Sequence, residues 1–348
     1  MRPQLRPGVP LVWRTDELLQ LGVDPERAVA APVTAAEYAW LTSLDGSQTA
    51  ADAVAGANRA GLTTEVAHAL LALLQQVGGL EDAGVDVPEL RTATAAERSR
   101  LAPDVAAIGL ALGEPGSGAA ALTARRAARV EIRGTGRVAA ATAALLAASG
   151  VGRLHLETAE LTGEPSPFTA GLGPGSTLSA AVARCAPSTR VTGLGKDGAL
   201  PPPDFVVLAD LAIIDPEETA ELVAADVPHL QVHAEGHRAV IGPLVLPGRT
   251  ACLRCIHLTR RDRDATWPRQ AAQLGRLQPR PPVDVLLATI AGALAARRVC
   301  GVLEAAMRVP RATLQAGDGH TIEFDLATQE FTQRYWPPHP ICGCTWPG

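Results

Sequence analysis

Val130-Glu-Ile-Arg-Gly-Thr-Gly-Arg-Val-Ala139, continuing through Ala140-Ala-Thr-Ala-Ala-Leu-Leu-Ala-Ala-Ser149 to Gly150-Val-Gly-Arg-Leu-His-Leu-Glu157, reads as strand, glycine turn, helix, tight turn and strand. Val130 and Ile132 open a short apolar strand. Gly134 and Gly136 permit a sharp turn into a helix, and Ala139 stands where a small side chain lets helix and sheet pack closely. Residues 138–148 are nearly all Ala, Val and Leu, as a helix buried against a sheet requires. Gly150 closes the helix, and Leu154 and Leu156 begin the next strand. This is the opening unit of a dinucleotide-type α/β fold, with a tight turn that holds no ligand as the alternative reading.

The rest of the 348-residue chain leaves room for two or three domains. Lys196 is the only lysine among 31 basic residues, so any lysine-dependent chemistry has one candidate. The net charge of -5 gives no general attraction to nucleic acid or anionic membrane. No apolar run in the sequence reading approaches the ~20 residues that span a bilayer. Met1-Arg-Pro-Gln-Leu-Arg-Pro lacks the apolar core of a signal peptide. The chain therefore reads as cytoplasmic, with its six cysteines as thiols or metal ligands rather than disulfides.

Residues 1–90 form a separate unit. Leu11-Val-Trp-Arg, Leu18-Leu-Gln-Leu-Gly-Val and Arg27-Ala-Val-Ala-Ala read as short strands. Three helices follow, introduced by Thr34, Thr49 and Thr63; Glu37 completes a capping box with Thr34. The third helix carries Val66, Leu70, Leu71, Leu73 and Leu74 on its apolar side and ends at Gly78-Gly79. Strands followed by three short helices suggest a winged-helix domain. A DNA-binding regulator is the generic possibility, but five Arg against twelve Asp and Glu over residues 1–90 argue against phosphate contacts. The pattern over residues ~8–83 resembles the PqqD-like peptide recognition domain. That resemblance implies a groove between an edge strand and the third helix, where a leader peptide adds as a strand. A structural appendage without a working groove is the alternative. Residues 91–128 read as linker and helix, with a loop at Gly113-Glu-Pro-Gly-Ser-Gly118, and the domain cut is set near residue 90.

Beyond residue 129, Leu178–Cys185, Glu217–Ala225 and Val283–Glu304 read as helices. Phe205-Val-Val-Leu-Ala, His229–His233 and Val240–Leu246 read as strands, and 313–325 as a hairpin with Gly317-Asp-Gly319 at its tip. The alternation predicts a largely parallel sheet with helices on both faces.

Cysteine spacing is the sharpest chemical signal. Cys252-Leu-Arg-Cys255 and Cys342-Gly-Cys344 supply four thiolates in two close pairs, which suits tetrahedral Zn2+ in a structural site. Because the second pair is the shorter Cys-x-Cys, His339 is a possible substitute ligand. A redox dithiol is the competing reading. Cys185 and Cys300 fall on apolar helices and read as core residues.

Gly134-Thr-Gly136, Asp210 at its strand end, Gly242-Pro-Leu-Val-Leu-Pro-Gly-Arg-Thr-Ala-Cys-Leu-Arg-Cys255 and the terminal cysteines together resemble the ThiF-type adenylyltransferases, the relatives of ubiquitin-activating enzymes. The resemblance covers residues ~129–348. With the front domain, the whole chain resembles the ThiF-like leader-peptide-binding proteins of thiazole and oxazole peptide (RiPP) biosynthesis, the partners of YcaO-type cyclodehydratases. It implies ATP and Mg2+ at the glycine turn, with Gly134, Gly136 and Arg137 at the nucleotide and Asp210 at the metal, and it implies a homodimer.

The family's active pattern also has an acid after the second strand, an Asn-Arg segment and a Lys at the next helix. Here the second strand ends Glu157-Thr158, so the acid reads as displaced or substituted. Gly163–Phe168 has no Arg, Gly173–Thr177 no Lys, and Lys196 lies after the helix. Arg133 and Arg137 flank the turn, either as partial replacements for those cations or as solvated turn residues. Triphosphate chemistry leans on fixed cations, and losing one commonly costs about 100-fold in rate. The expected function is therefore a catalytically degenerate ThiF-like scaffold that binds a precursor (leader) peptide and presents it to a partner enzyme, with no nucleic acid or membrane partner. The alternative is an ATP-dependent adenylyltransferase acting on a carboxylate or peptide C-terminus. Residues 249–280 add a basic loop of eight Arg and two Asp around Trp267, suited to an acidic peptide or partner, or balanced simply by solvent and neighbours.

Overall fold

The computed structural model describes residues 1–23, 29–85, 91, 93–157, 177–194, 201–276, 282–307 and 319–345. They divide into two compact units, the first Met1–Thr123 and the second from Ala124 onward.

In the first unit β1 (Pro3–Leu5) pairs antiparallel with β5 (Leu80–Asp82), and β2 (Leu11–Trp13), β3 (Leu18–Leu21) and β4 (Val29–Pro32) form an antiparallel meander. Between them lie α1 (Ala35–Thr42), α2 (Ala50–Arg59) and α3 (Thr64–Gln76). Thr34 and Glu37 form the reciprocal capping box, and Thr49 and Thr63 accept from the backbone N–H three residues on. Leu19, Trp40, Leu41, Ala53, Leu71, Leu74 and Leu80 make the core. The β1–β5 pair was not foreseen, because its partners are separated by almost the whole unit.

The domain boundary expected near residue 90 falls later, because α4 (Ala95–Leu112) belongs to the first unit. Buried Arg6 explains this. Its guanidinium donates to the carbonyls of Gly78, Gly109, Gly113 and Glu114, gathering the C-terminal ends of α3 and α4. A further helix absent from the sequence reading, α5 (Ser117–Ala127), follows.

The second unit is built on an eight-stranded sheet. Its strands are β6 (Arg129–Arg133), β7 (Arg153–Leu156), β8 (Arg190–Gly193), β9 (Phe205–Ala209), β10 (His229–Glu235), β11 (Arg238–Val245), β12 (His320–Asp325) and β13 (Glu330–Tyr335), ordered β13-β12-β11-β10-β9-β6-β7-β8. The half from β10 to β8 is parallel, and the half from β10 to β13 antiparallel. The expected largely parallel sheet is thus a mixed one. The turn at Gly236 is too short for a crossover, so β11 must return antiparallel. The antiparallel half ends in a hairpin. It runs from β12 to β13 and turns through 326–329, where the Asp325 carboxylate accepts from Ala327 and Thr328 N–H. The tip expected at Gly317-Asp-Gly319 has residues 313–318 outside the described ones.

Two helices form one layer of core: α6 (Arg137–Ala148) and α11 (Val285–Ala306). Nine of the twelve α6 residues are buried. α11 corrects the expectation about apolar runs. It is 22 residues long, with mean hydropathy 1.6 in its most apolar window, long and apolar enough to cross a membrane by length and composition. Half of that window is buried, and α11 packs on α6, β10 and β11. The helix contact is close at Gly292, where an added Cβ would lie 2.6 Å from that of Ala141. Gly292→Val is therefore expected to destabilise the protein by about 1–3 kcal/mol through overpacking, read as a lower urea midpoint. Gly301→Ala meets only the Arg297 guanidinium, 3.7 Å away, and should cause no loss.

Residues 249–280, expected as a loop, instead contain α9 (Leu253–Arg263) and α10 (Trp267–Leu274); 277–281 lie outside the described residues. α7 (Leu178–Cys185) and α8 (Pro216–Ala224) complete the unit as expected.

Candidate functional site: a glycine turn and a four-cysteine cluster

β6 lies between β9 and β7, so the chain departs to opposite sides of it. Ligands of open α/β sheets bind at such a point, beyond the carboxyl ends of the strands. Three chain segments converge there: the Gly134–Gly136 turn, Asp210 after β9 and Glu157 after β7.

The contacts are specific. Asp210 takes a left-handed φ of 68°, which aims its carboxylate across the turn. One carboxylate oxygen accepts from Gly136 N–H at 2.7 Å; the other accepts from Val138 at 3.1 Å and Ala139 at 3.4 Å. Glu157 accepts from Gly134 N–H at 2.7 Å. This closeness is why both turn positions are glycine. A Cβ on Gly136 would sit 2.7 Å from the Asp210 carboxyl carbon, and one on Gly134 2.8 Å from the Ala209 carbonyl oxygen. Expected to be displaced, the acid after the second strand is instead in contact with the turn. Its position directly after Leu156 was the signal available in sequence.

Electrostatically, the N-terminus of α6 is an anion site whose anions come from the chain itself. A phosphate entering here meets two carboxylates, so it must displace Asp210 or approach through a divalent cation held by it. The arginines flanking the turn are engaged elsewhere. Arg133 donates to Glu131 at 2.6 Å and to Glu218 at 2.8 Å. Arg137 donates to the Val283 carbonyl. Lys196 and residues 163–168 and 173–176 lie outside the described residues.

The second constellation is the cysteine cluster. Cys252 stands at the N-cap of α9 and Cys255 in its first turn, where the helix dipole favours thiolates. Cys342 and Cys344 arrive from the C-terminal segment. All four sulfurs lie within 4.8 Å of one another and could hold a metal ion such as zinc. Cys252 and Cys255 are 3.8 Å apart, Cys252 and Cys342 3.5 Å, and Cys255 and Cys344 3.4 Å. Zinc–sulfur bonds of about 2.3 Å in a tetrahedron put sulfurs about 3.8 Å apart, so the donor set fits that ion. A disulfide needs sulfurs at about 2.05 Å, and these are free thiols.

The cluster cannot ionise fully on its own. The Cys252 thiol holds Cys255 down to about 4, while burial pushes Cys344 up to about 11 and the bond to Cys255 pushes Cys252 up. A cation resolves that conflict. The cluster is walled by Val245, Ala251, Ile256 and Trp336. His339 is not a fourth ligand. Its ring pairs with Asp262 at 2.8 Å, and only its backbone N–H touches the cluster, donating to Cys255 Sγ at 3.2 Å. Of the remaining cysteines, Cys300 is buried in the core as expected, whereas Cys185 is only half-buried.

No protein-family model and no curated protein sequence matches this chain. Solved structures do. The crystal structure of E. coli MccB with ATP superposes with a TM-score of 0.63 at 14% identity, covering 99% of this chain and 100% of that one. The microcin C7 biosynthetic enzyme MccB in complex with N-formylated MccA gives 0.63 at 15%, with the same coverage. A heterocyclase in complex with substrate and cofactor gives 0.64 at 17%, covering 99% of this chain but 39% of the heterocyclase. At these identities the likeness shows the fold alone, a MccB-like α/β fold built on the eight-stranded sheet.

Proposed function

We propose that this protein is a peptide-binding scaffold of RiPP biosynthesis that has lost adenylation. Its peptide-recognition elements, β1–β5 and α1–α3 within residues 1–90, are winged-helix and PqqD-like, and α4 belongs to the same compact unit. A ThiF-like domain follows over 129–348, stapled by Zn2+ on Cys252, Cys255, Cys342 and Cys344. It binds a precursor or leader peptide and presents it to a YcaO-type partner, as a cytoplasmic homodimer.

The observation that carries this reading is the state of the glycine turn. Its N–H donors are held by Asp210 and Glu157, and Arg133 and Arg137 are committed to other acceptors. Adenylation develops negative charge on a triphosphate and needs cations there. The structures that share the fold include MccB with MccA and a heterocyclase with substrate, which supports peptide handling. In the first unit, β2 and β4 are both sheet edges, and an edge strand offers main-chain groups to a peptide.

Purified full-length protein, given ATP, Mg2+ and the peptides encoded beside its gene, is expected to show no pyrophosphate exchange above background. A leader peptide should bind with micromolar affinity or better, by fluorescence anisotropy. Failure of all such peptides to bind would overturn the scaffold reading. The second reading, an adenylyltransferase, draws on Asp210 standing over the turn, where it would hold Mg2+ to supply the positive charge a triphosphate needs. Exchange that disappears in Asp210→Ala would establish it.

A further inference from the structure

Arg260, on α9, is a half-buried arginine that forms no ion pair with a described residue, although the Glu323 carboxylate acts on it at longer range. Its guanidinium lies 4.6 Å from the Trp267 ring centre and 5.7 Å from that of Trp336. It makes no hydrogen bond or ion pair with any described residue. Its donors therefore remain available to an incoming acceptor. Burial and the neighbouring Arg334 hold Arg260 below its ordinary pKa.

The surroundings are cationic on several sides. Arg263, one turn along α9 and exposed, lies 6.0 Å from the Trp336 ring and also lacks an ion pair with any described residue. Arg334 lies 5.6 Å from the same ring and is paired with Glu323 at 3.2 Å. His233 on β10 feels the charge of Arg260, and its buried Nδ1 has no partner among the described residues. Both indoles are fixed. Trp267 donates to His257 at 3.0 Å, and Trp336 donates to Thr321 at 3.1 Å. Arg263 is exposed, and α10 has no buried residue.

We propose that Arg260, framed by Trp267 and Trp336 and joined by Arg263 and Arg334, is a binding site for the carboxylate side chains of an acidic peptide segment. Arginine pairs with carboxylate through two parallel N–H bonds, and an indole face holds the guanidinium plane for that contact. Arg260 and Arg263 stand three residues apart on one helix, about 5–6 Å between Cβ atoms. Carboxylates two residues apart on an extended strand are separated by about 7 Å, which matches the pair within side-chain reach. Glu323 keeps one carboxylate among the arginines, which disfavours a doubly charged phosphate more than single carboxylates. The site lies wholly in the second unit, so it stands or falls independently of leader binding by the first.

The test uses zinc-loaded full-length protein and a labelled peptide, Ac-Gly-Glu-Gly-Glu-Gly-NH2, with its Gln counterpart as the uncharged probe. The acidic peptide is expected to bind at low salt, more weakly as salt rises, and the Gln peptide at least about tenfold more weakly. Arg260→Gln should weaken acidic binding by about tenfold or more and leave Gln-peptide binding unchanged. Arg260→Lys, which keeps charge but not the planar fork, should fall between. Arg276→Gln, outside the cluster, should bind as wild type. Should Arg260→Gln lose zinc or melt early, exposed Arg263→Gln carries the same comparison with a smaller loss. Equal binding of the two peptides, wild-type affinity in both arginine variants, or stronger competition by inorganic phosphate than by the acidic peptide would overturn the proposal.

Discussion

Cys255→Ser is expected to abolish stoichiometric zinc and to release the C-terminal segment from the second unit. Purified wild-type protein should carry about one zinc per chain, and the variant well under a tenth of that, by elemental analysis. The effect is large because the metal's binding energy is folding energy. Structural zinc in small peptides is worth about 10–16 kcal/mol at neutral pH, and here it joins residues far apart in sequence. Cys255 is the most consequential choice. It is fully buried, contacts Cys252 and Cys344, and accepts from the His339 backbone. Chelation should reproduce the variant, with proteolysis beginning near residue 339 and Trp336 losing its buried environment. His339→Ala, by contrast, should retain zinc, since its ring pairs with Asp262. If Cys255→Ser keeps a full equivalent of metal, the cluster is not its ligand set.

The second large effect is expected at Glu304. This residue of α11 is 0% exposed, and its carboxylate receives two arginines. Arg125 donates to it at 2.5 and 2.9 Å, and Arg297 at 3.0 and 3.1 Å. Arg125 is itself buried and also donates to the Ser149 carbonyl at 3.1 Å, where α6 ends. Glu304→Ala leaves Arg125 charged, buried and without its anion. Breaking a buried pair in this way costs about 3–5 kcal/mol. Arg297→Ala should cost no more than about 1 kcal/mol, because that side chain is 56% exposed and solvent already screens it. Urea denaturation of both single variants and the double variant would measure the asymmetry. Equal losses would contradict this account.

Local signals were read correctly where the chain's own chemistry sets the structure. The capping box of Thr34 and Glu37 and the Phe205–Ala209 run of a doubly covered strand each need only neighbouring residues. The cysteine cluster was legible for a related reason: two close pairs of one soft ligand imply each other. The basic stretch 249–280 reads as loop because its arginines obscure the apolar side of α9, formed by Leu253 and Ile256.

The sequence by itself determined an α/β chain with a glycine-turn entry to a buried helix and a four-thiol cluster, since spacing and propensity act over a few residues. The tertiary structure decided which groups meet across long separations. Asp210 lies 74 residues from Gly136 in sequence, Glu304 is 179 from Arg125, and Trp336 is far from Arg260 along the chain. Propensity carries no information about such pairs. They form because the strand order of the sheet and the packing of α11 on α6 bring their elements together, and buried polar groups must then find partners.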